Sequence, residues 1–381
     1  MSSPTSSELV QAGMAALKSG NRHGARDCFA RVIASGQANA AVWLSYAQSC
    51  DDEAEQLRAI DSALGLEPRN LRALLLKADH LARQGDSLAA STYYNAAIEV
   101  APASLPADLA GEVERARQAA ARYAAQFEAY LVDKTAAGVQ ASRRFAQSID
   151  LVLGKKQLFM QQPQHYYFPE LPQIQFYERA AVPFLDDVED AFEDIRGELF
   201  ELLREGDEFK PYVEPSTTRP TTREMAGMVN NPKWGAFYLC KNGVMVPGNA
   251  ERCPKTMAAM EQCPLTRITG RAPSILFSLL RPHSRIPPHT GFINARLICH
   301  LPLIVPGNCD LRVGNDSRPV VEGQAWAFDD SFEHEAWNDS DEPRVILLFE
   351  VWRPELNDIE RASVAAMFEA IDAYGGGREW Q

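Results

Sequence analysis

A repeat in the first hundred residues is the feature that most constrains the fold of this chain. The segments "ALGLEP" and "AIEVAP" end at Pro68 and Pro102, a spacing of 34 residues that is typical of a repeated helix pair. Three sets of apolar residues recur in phase with it: Gly13, Ala47 and Ala78; Phe29, Ile60 and Tyr94; and Val32, Ala63 and Ala97. Small residues permit close helix crossings and large ones fill the adjoining grooves, so the pattern predicts stacked helix pairs.

The period and the phase together resemble the tetratricopeptide repeat, in three degenerate units over residues 8–102. An ordinary helical bundle without a binding groove is the alternative. Residues 106–132 continue as an Ala-rich helix, with Pro106 suited to its first turn, and such a helix caps a repeat array. We therefore expect an all-α domain over residues 8–132.

A change of composition marks the entry to a second domain. A further helix is predicted near residues 134–153, and "QLFMQQPQHYYFPELPQIQFYERA" then turns to Gln, Pro and aromatic residues. Residues 133–165 are thus predicted to link the repeats to a domain over residues 166–381. Within that domain, helical spacing recurs at residues 184–205 and in the final segment "PELNDIERASVAAMFEAIDAY".

From Ser274 onward the pattern is that of short strands. The runs, which are separated by Pro, Gly, Asn and Asp, are "SILFSLL", "ARLICHLPLIV", "CDLRVG", "QAWAFDD", "EHEAWN" and "RVILLFEVW". So many short strands predict a sandwich or jelly-roll barrel rather than a parallel sheet. We expect a multidomain protein, with helical repeats followed by an antiparallel jelly-roll domain and flanking helices.

Composition narrows the classes of partner and the compartment. A formal charge of −13 and a pI near 5.1 argue against binding to nucleic acid or to an anionic membrane. No apolar run approaches the roughly 18 residues of a membrane span, and "MSSPTSSELV" has no secretory pattern. Seven cysteines without a CxxC pair fit reduced thiols. We expect a cytoplasmic protein with no membrane span.

Four of the seven histidines fall in the β region: His283, His289, His300 and His334. His289 ends one predicted strand and His334 begins another, and two imidazoles on paired strands are part of a non-haem iron site. The usual carboxylate two residues after the first histidine is replaced by Gly291. Three explanations remain open: a pocket without iron, a carboxylate from Asp329, Asp330, Glu333 or Glu335, or water in the vacant position.

The run from "PHTGFINARLICH" through "FDDSFEHEAWN" to "RVILLFEVWRPEL" resembles the catalytic domain of the aspartyl/asparaginyl β-hydroxylases. The resemblance is continuous from Trp234 to Leu356 and weaker back to Tyr166. Members of this family are Fe(II)- and 2-oxoglutarate-dependent dioxygenases with a double-stranded β-helix core, and they lack the carboxylate ligand. The resemblance therefore favours water at the vacant position.

The resemblance also implies roles for individual residues. His289 and His334 would bind Fe(II) and leave positions for O2 and 2-oxoglutarate. Arg344 would bind the distal carboxylate of 2-oxoglutarate, with four further matches: Ser278 sharing that carboxylate, His300 contacting the cosubstrate near iron, Trp234 lining the pocket, and Arg296 on the substrate side. Two other substrate arginines of the family fall at Ile298 and Val229 in this chain.

The predicted activity is that of an oxidoreductase, a dioxygenase that hydroxylates a C–H bond of an Asp- or Asn-type side chain. A peptide or protein substrate is expected, delivered through the tetratricopeptide groove. The alternatives are a hydroxylase of a lipid acyl chain or another small molecule, and a catalytically inactive tetratricopeptide adaptor. A zinc hydrolase using the same histidines is disfavoured, because catalytic zinc commonly has three protein ligands.

Overall fold

The chain forms two compact units, residues 1–156 and 157–381. The computed structural model describes residues 4–206, 209–215 and 225–375. The boundary between the units falls inside residues 133–165, the segment predicted to link the domains. In the described residues, no helix has the combined length and apolarity that crossing a bilayer requires.

The first unit begins with three consecutive helix pairs. Their bounds are α1 Ser6–Lys18, α2 Arg22–Ala34, α3 Ala40–Ser49, α4 Glu53–Leu66, α5 Leu71–Arg83 and α6 Ser87–Val100. A side-chain oxygen accepts a hydrogen bond from a first-turn amide at every N-terminus, and the six capping residues are Thr5, Asn21, Asn39, Asp52, Asn70 and Asp86. Such caps satisfy amides that have no partner within the helix, so each pair begins where its sequence specifies.

Packing within these pairs confirms the phase predicted for the repeat. All nine residues of the three apolar sets are buried. A Cβ on Gly13 would lie 2.8 Å from the ring of Phe29, so α1 and α2 approach too closely for any side chain there. The small residue at the crossing and the large one in the groove are therefore complementary parts of one contact.

Two longer segments close the first unit. α7 Ala107–Ala141 extends beyond the end predicted at residue 132, and α8 Arg143–Val152 begins later than the predicted residue 134. Residues 133–141 contain no proline to stop the helix. A Cβ on Gly138 would lie 3.0 Å from Phe145, so this glycine lets α8 pack against the end of α7.

In its described residues, the second unit combines four α-helices with eleven strands. The helices are α9 Leu185–Asp190, α10 Phe192–Glu205, α11 Pro254–Glu261 and α12 Asp358–Gly375. The strands are β1 Lys210–Pro211, β2 Trp234–Lys241, β3 Val244–Met245, β4 Ile275–Leu280, β5 Ser284–His289, β6 Arg296–Ile304, β7 Cys309–Val313, β8 Asp316–Pro319, β9 Trp326–Phe328, β10 His334–Asn338 and β11 Arg344–Trp352. Because β1–β3 precede Ser274, the β region begins earlier than predicted.

The strands form two antiparallel sheets. The larger has the order β1-β2-β4-β11-β6-β9, with β3 also paired to β2, and the smaller has the order β5-β10-β7-β8. One face of the larger sheet packs on α9, α10 and α11, and its other face shares a hydrophobic core with the smaller sheet. Side chains alternate between these faces along each strand, so every second residue of β4, β6 and β11 points toward the space between the sheets.

Candidate active site

Two histidines meet where β5 and β10 pair. His289 lies opposite His334, and their ring centroids are 4.1 Å apart. The Nδ1 of His289 lies 2.8 Å from the Pro287 carbonyl, and that of His334 lies 3.0 Å from the Phe332 carbonyl. A carbonyl only accepts, so Nδ1 carries the proton in both rings and Nε2 keeps its lone pair. Burial lowers the pKa of His289 to about 3 and that of His334 to about 4. Both rings are therefore neutral near pH 7, the form that binds metals.

Gly291 stands at the sequence position where a carboxylate ligand is usual, and the carboxylate of Asp330, from another loop, lies against it. The Gly291 amide donates to the Asp330 carbonyl at 2.6 Å, and a Cβ built on Gly291 would overlap the Asp330 carboxylate. Asp330 Oδ1 is buried and has no hydrogen-bond partner within residues 4–206, 209–215 and 225–375. Any larger residue at position 291 would displace this acid, which explains the glycine.

The other three acids considered as a third metal ligand form ion pairs with arginines. Asp329 forms a fully buried ion pair with Arg353 at 2.7 Å, and Glu333 and Glu335 both pair with Arg312. Across the described ranges, no group of three or more His, Cys, Asp or Glu side chains is arranged to hold a metal ion. The arrangement thus offers two histidine ligands, with Asp330 beside them.

A buried arginine lies at the start of β11 without a counter-ion. Arg344 is 1% exposed, and it forms no ion pair or side-chain hydrogen bond with any residue of the described chain; its buried Nε has no partner. Burial lowers its pKa to about 10, so the guanidinium is charged at neutral pH. An unpaired buried charge is costly, and the site is therefore suited to an anionic ligand.

Three further predicted residues lie between the sheets. Trp234 donates from Nε1 to Ser278 Oγ at 3.1 Å, and its ring lies 6.3 Å from that of His289. His300 packs edge-on against Phe328 at 5.0 Å. Burial, followed by the nearby charge of Arg344 and then by His334, lowers the pKa of His300 well below its usual value. The structure thus brings His300 within electrostatic range of His334, one of the two predicted iron ligands, and of the predicted cosubstrate arginine.

Arg296, predicted to face the substrate, is engaged by two acids of the protein. It forms buried ion pairs with Glu350 and, at 3.2 Å, with Asp330. Burial alone would lower its pKa, but the two carboxylates raise it overall. The neighbouring pocket-facing residue of β6, Ile298, is buried in the apolar core between the sheets. A role for Arg296 in binding substrate stays a prediction. In the structure, its guanidinium holds the carboxylates of Asp330 and Glu350.

Several residues of the site escaped the sequence interpretation. Glu350 follows Arg344 at an even spacing on β11, and strand periodicity was a signal that places both on the same face. Tyr212 stacks on Trp234 at 4.0 Å, and Gln161 bonds Asp329 at 2.7 Å from 168 residues away. No local pattern identifies these two, because their contacts depend on how distant segments meet.

The region that contains these residues is similar in sequence to known proteins. A sequence model of the family described as Aspartyl/Asparaginyl beta-hydroxylase matches residues 189–354. Human aspartate beta-hydroxylase domain-containing protein 2 is 32% identical over 216 residues, which are 55% of this chain and 55% of that protein. The ornithine lipid ester-linked acyl 2-hydroxylase of Rhizobium tropici is 34% identical over 182 residues, 47% of this chain and 60% of that protein.

The chain thus spans little more than half the length of these curated relatives. For the repeat unit, the Arabidopsis OM64 TPR domain is 17% identical, covers 30% of this chain and 94% of that chain, and gives a TM-score of 0.26. The assignment of helical repeats therefore depends on the three helix pairs and their confirmed phase. The segment that matches the aspartyl/asparaginyl β-hydroxylase model, residues 189–354, is thus the one that carries the two histidines, Arg344 and most strands of the two sheets.

Proposed function

We propose that this protein is an Fe(II)- and 2-oxoglutarate-dependent hydroxylase whose second unit is a double-stranded β-helix of the jelly-roll type. The observation that carries the proposal is Arg344, a buried guanidinium with no counter-ion in the described part of the chain, in the same space between the sheets as two neutral histidines. A two-histidine site accommodates Fe(II) with open positions. A guanidinium binds a carboxylate through two parallel hydrogen bonds, which suits the distal end of 2-oxoglutarate.

Each protein group has a defined part in this proposal. His289 and His334 would hold the metal through Nε2, while the Pro287 and Phe332 carbonyls fix the orientation of the rings. Arg344 and Ser278 would hold the distal carboxylate, and His300 would contact the other end of the cosubstrate. When bound, iron and 2-oxoglutarate supply the oxidation: one atom of O2 enters a substrate C–H bond, the other enters succinate, and CO2 leaves.

Asp330 would complete the vacant ligand position indirectly. Its Oδ1 has no hydrogen-bond partner among the residues that the structure describes and would accept a hydrogen bond from a water bound there. Burial raises the pKa of this carboxyl group, while Arg296 acts to lower it. Arg296 would thereby keep the acid oriented toward His289, while its other ion pair, with Glu350, holds the guanidinium in place.

The charge balance of the site bears on the substrate. We propose an Asp- or Asn-type side chain of a peptide first, and an acyl chain, as in the name of the Rhizobium relative, second. In the described part of the site, Arg296 is matched by Glu350 and Asp330, and Ile298 is apolar. A substrate carboxylate would compete with these acids, so an uncharged reacting group, an Asn amide or an acyl chain, is favoured over Asp.

A protein partner would bind the repeat unit. An open groove of about 490 Å³ lies along α5 and α7, and its lining includes Asp79, Arg83, Arg115, Arg122 and Tyr123. Asp79 is paired with Arg115 at 2.8 Å and accepts from the Tyr94 hydroxyl at 2.5 Å. Arg83 also lies 3.8 Å from Glu53, so Arg122 supplies most of the remaining positive charge of the groove, which would suit an acidic peptide segment.

The central proposal is tested by comparing two buried arginines. In the wild-type protein, Mn(II) with 2-oxoglutarate should raise the melting temperature, and Fe(II) in air should convert 2-oxoglutarate to succinate. Arg344→Met should remove both responses without destabilising the metal-free protein, because it deletes an unpaired buried charge. Arg353→Met, the matched control, should lower the free energy of unfolding by about 3–5 kcal/mol, because it leaves the buried Asp329 carboxylate without its ion-pair partner.

Two results would contradict the proposal and identify its rivals. A wild-type protein that binds no Fe(II) and does not respond to 2-oxoglutarate would support the inactive adaptor instead. Tight zinc in freshly isolated protein, with hydrolysis and no succinate, would support the hydrolase. Asn-, Asp- and acyl-containing substrates, compared for succinate formed and product hydroxylated, separate the substrate classes.

A further inference from the structure

One buried amide connects the two loops that carry the candidate metal ligands. Gln161 is 6% exposed, and its Nε2 donates to Asp329 Oδ2 at 2.7 Å and to the Pro172 carbonyl at 3.0 Å. Its Oε1 accepts from Asn294 Nδ2 at 3.0 Å. Asn294 follows His289 in the first loop, and Asp329 precedes His334 in the second. The side-chain amide of Gln161 therefore spans both loops with its donors and acceptor satisfied.

Backbone hydrogen bonds of the same segment repeat this connection. The Gln162 amide donates to the Ser331 carbonyl at 2.7 Å, in the loop before His334. The Gln164 amide donates to the Gly291 carbonyl at 2.9 Å, in the loop after His289. Residues 161–164, here called the strap, thus contact the two loops alternately and tie one to the other.

The second loop is also held from its other side. Asp329 accepts from Arg353 at 2.7 Å and, through Oδ1, from the Ser331 amide at 2.9 Å. Arg353 in turn donates to the Asn294 carbonyl at 3.3 Å. Gln161, Asp329, Asn294 and Arg353 form one buried network, and a network with every member satisfied rigidifies the groups around it.

The strand pairing itself leaves the histidines in need of such support. β5 and β10 pair with a register shift between His334 and Ala336, so the ladder is irregular beside the histidine pair. A bulge of this kind re-aims a side chain but weakens the local hydrogen bonding that would hold it. Contacts outside this ladder therefore have room to set the spacing of the two imidazoles.

We propose that Gln161 is a positioning residue that sets the spacing of His289 and His334 by bridging Asn294 and Asp329. This inference rests on the proposed function, because it gives the bridge a purpose in metal binding. Gln161 touches neither imidazole and acts through the loops. Its loss leaves an Asp329 oxygen and the Asn294 amide each short of a buried partner, so the loops shift to recover hydrogen bonds.

The test compares two adjacent glutamines in the full chain. Gln161→Met removes the amide but keeps the length of the side chain. Gln162→Met is the control, because the Gln162 side chain is exposed and the backbone bond to Ser331 is retained. Co(II) binding followed by visible absorption reports affinity and ligand geometry together. We expect Gln161→Met to weaken Co(II) binding by ~10–100-fold, the usual effect of a support residue, with an altered spectrum, and Gln162→Met to match wild type.

A readout without metal keeps the inference separate from the proposed function. In the metal-free protein, hydrogen exchange should accelerate in residues 290–294 and 329–333 of Gln161→Met, and not in Gln162→Met. A lower melting temperature with wild-type Co(II) affinity, spectrum and exchange in these loops would overturn the inference. Failure of the wild type to bind Co(II) would count against the proposed function, while exchange still decides whether Gln161 bridges the loops. If Gln161→Met does not fold, Gln161→Asn, one methylene shorter, should show the same changes.

Discussion

Two buried arginines, one near each end of β11, differ in role because their surroundings differ. Arg353 is 0% exposed and bonds Asp329, the Tyr177 hydroxyl and two carbonyls. Arg344, equally buried, has no comparable partner within the described ranges. Arg353 therefore stabilises the fold through its ion pair and hydrogen bonds, whereas the charge of Arg344 is the one that the proposed anionic ligand would neutralise.

The low pKa of His334 predicts a specific dependence of stability on pH. An unfolded imidazole binds a proton below about pH 6.5, whereas the folded ring stays neutral down to about pH 4 because it is buried. Protons therefore bind the unfolded chain preferentially between these values, and stability falls as the pH is lowered through this window. Metal-free wild type should lose about 2 kcal/mol more than His334→Gln between pH 7 and pH 5.

Urea unfolding of both proteins at the two pH values measures this difference. The second unit is the relevant transition, because His334 lies in it. Equal losses in wild type and His334→Gln would contradict the burial of a neutral imidazole at this position.

At the scale of elements, the neighbouring strands β6 and β11 contribute a shared face to the space between the sheets. Arg296, Ile298 and His300 alternate along β6 with Leu297, Cys299 and Leu301, which face the helices. β11 lies beside β6 and pairs Leu348 with His300 and Glu350 with Ile298. One antiparallel pair therefore presents a cation, an acid and a histidine to the same space while its other face remains an apolar support.

The helices α5 and α7 provide the element-scale prediction for the repeat unit. A fluorescein-labelled tetraglutamate peptide should bind the full chain, with weaker binding at high salt because the attraction is electrostatic. Arg122, whose guanidinium lies 5.2 Å from the ring centre of Tyr123, should contribute directly. Arg122→Ala should weaken binding about 5-fold or more, in line with about 1 kcal/mol for a charged contact.

Arg117→Ala is the matched control for that experiment. Arg117 is exposed on the same helix and does not line the groove. Equal affinity of the wild type, both variants and a tetraglutamine probe would contradict an acidic ligand for this groove.

At the scale of the whole molecule, each unit has its own hydrophobic cores. The clusters of the repeats contain no residue of the second unit, and those around the sheets contain none of the first. Charge is divided as well: residues 1–156 contain 17 acidic and 17 basic side chains, so the formal charge of −13 belongs to residues 157–381. The repeat unit therefore has no net formal charge, whereas the second unit is strongly acidic.

Separate cores predict two transitions in scanning calorimetry. Mn(II) with 2-oxoglutarate should raise only the transition of the second unit, since ligand binding stabilises the unit that binds. Phe29→Ala should lower the transition temperature of the repeat unit alone, because it removes about 3–5 kcal/mol from the free energy of unfolding of that unit. A single transition that responds to both changes would contradict independent units.

The sequence by itself determined the repeat phase, the change of composition between the units, the antiparallel strands and the pairing of the strands that carry His289 and His334. Those features depend on periods and caps that each segment carries locally, as the buried Gly13–Phe29 contact and the alternation of β6 demonstrate. Only the tertiary structure decided that Asp330 fills the space beside Gly291, that Arg296 is neutralised by Glu350, and that Gln161 bridges two distant loops. Such contacts join segments far apart in the chain, and a side chain's partners there depend on where the folded backbone brings them.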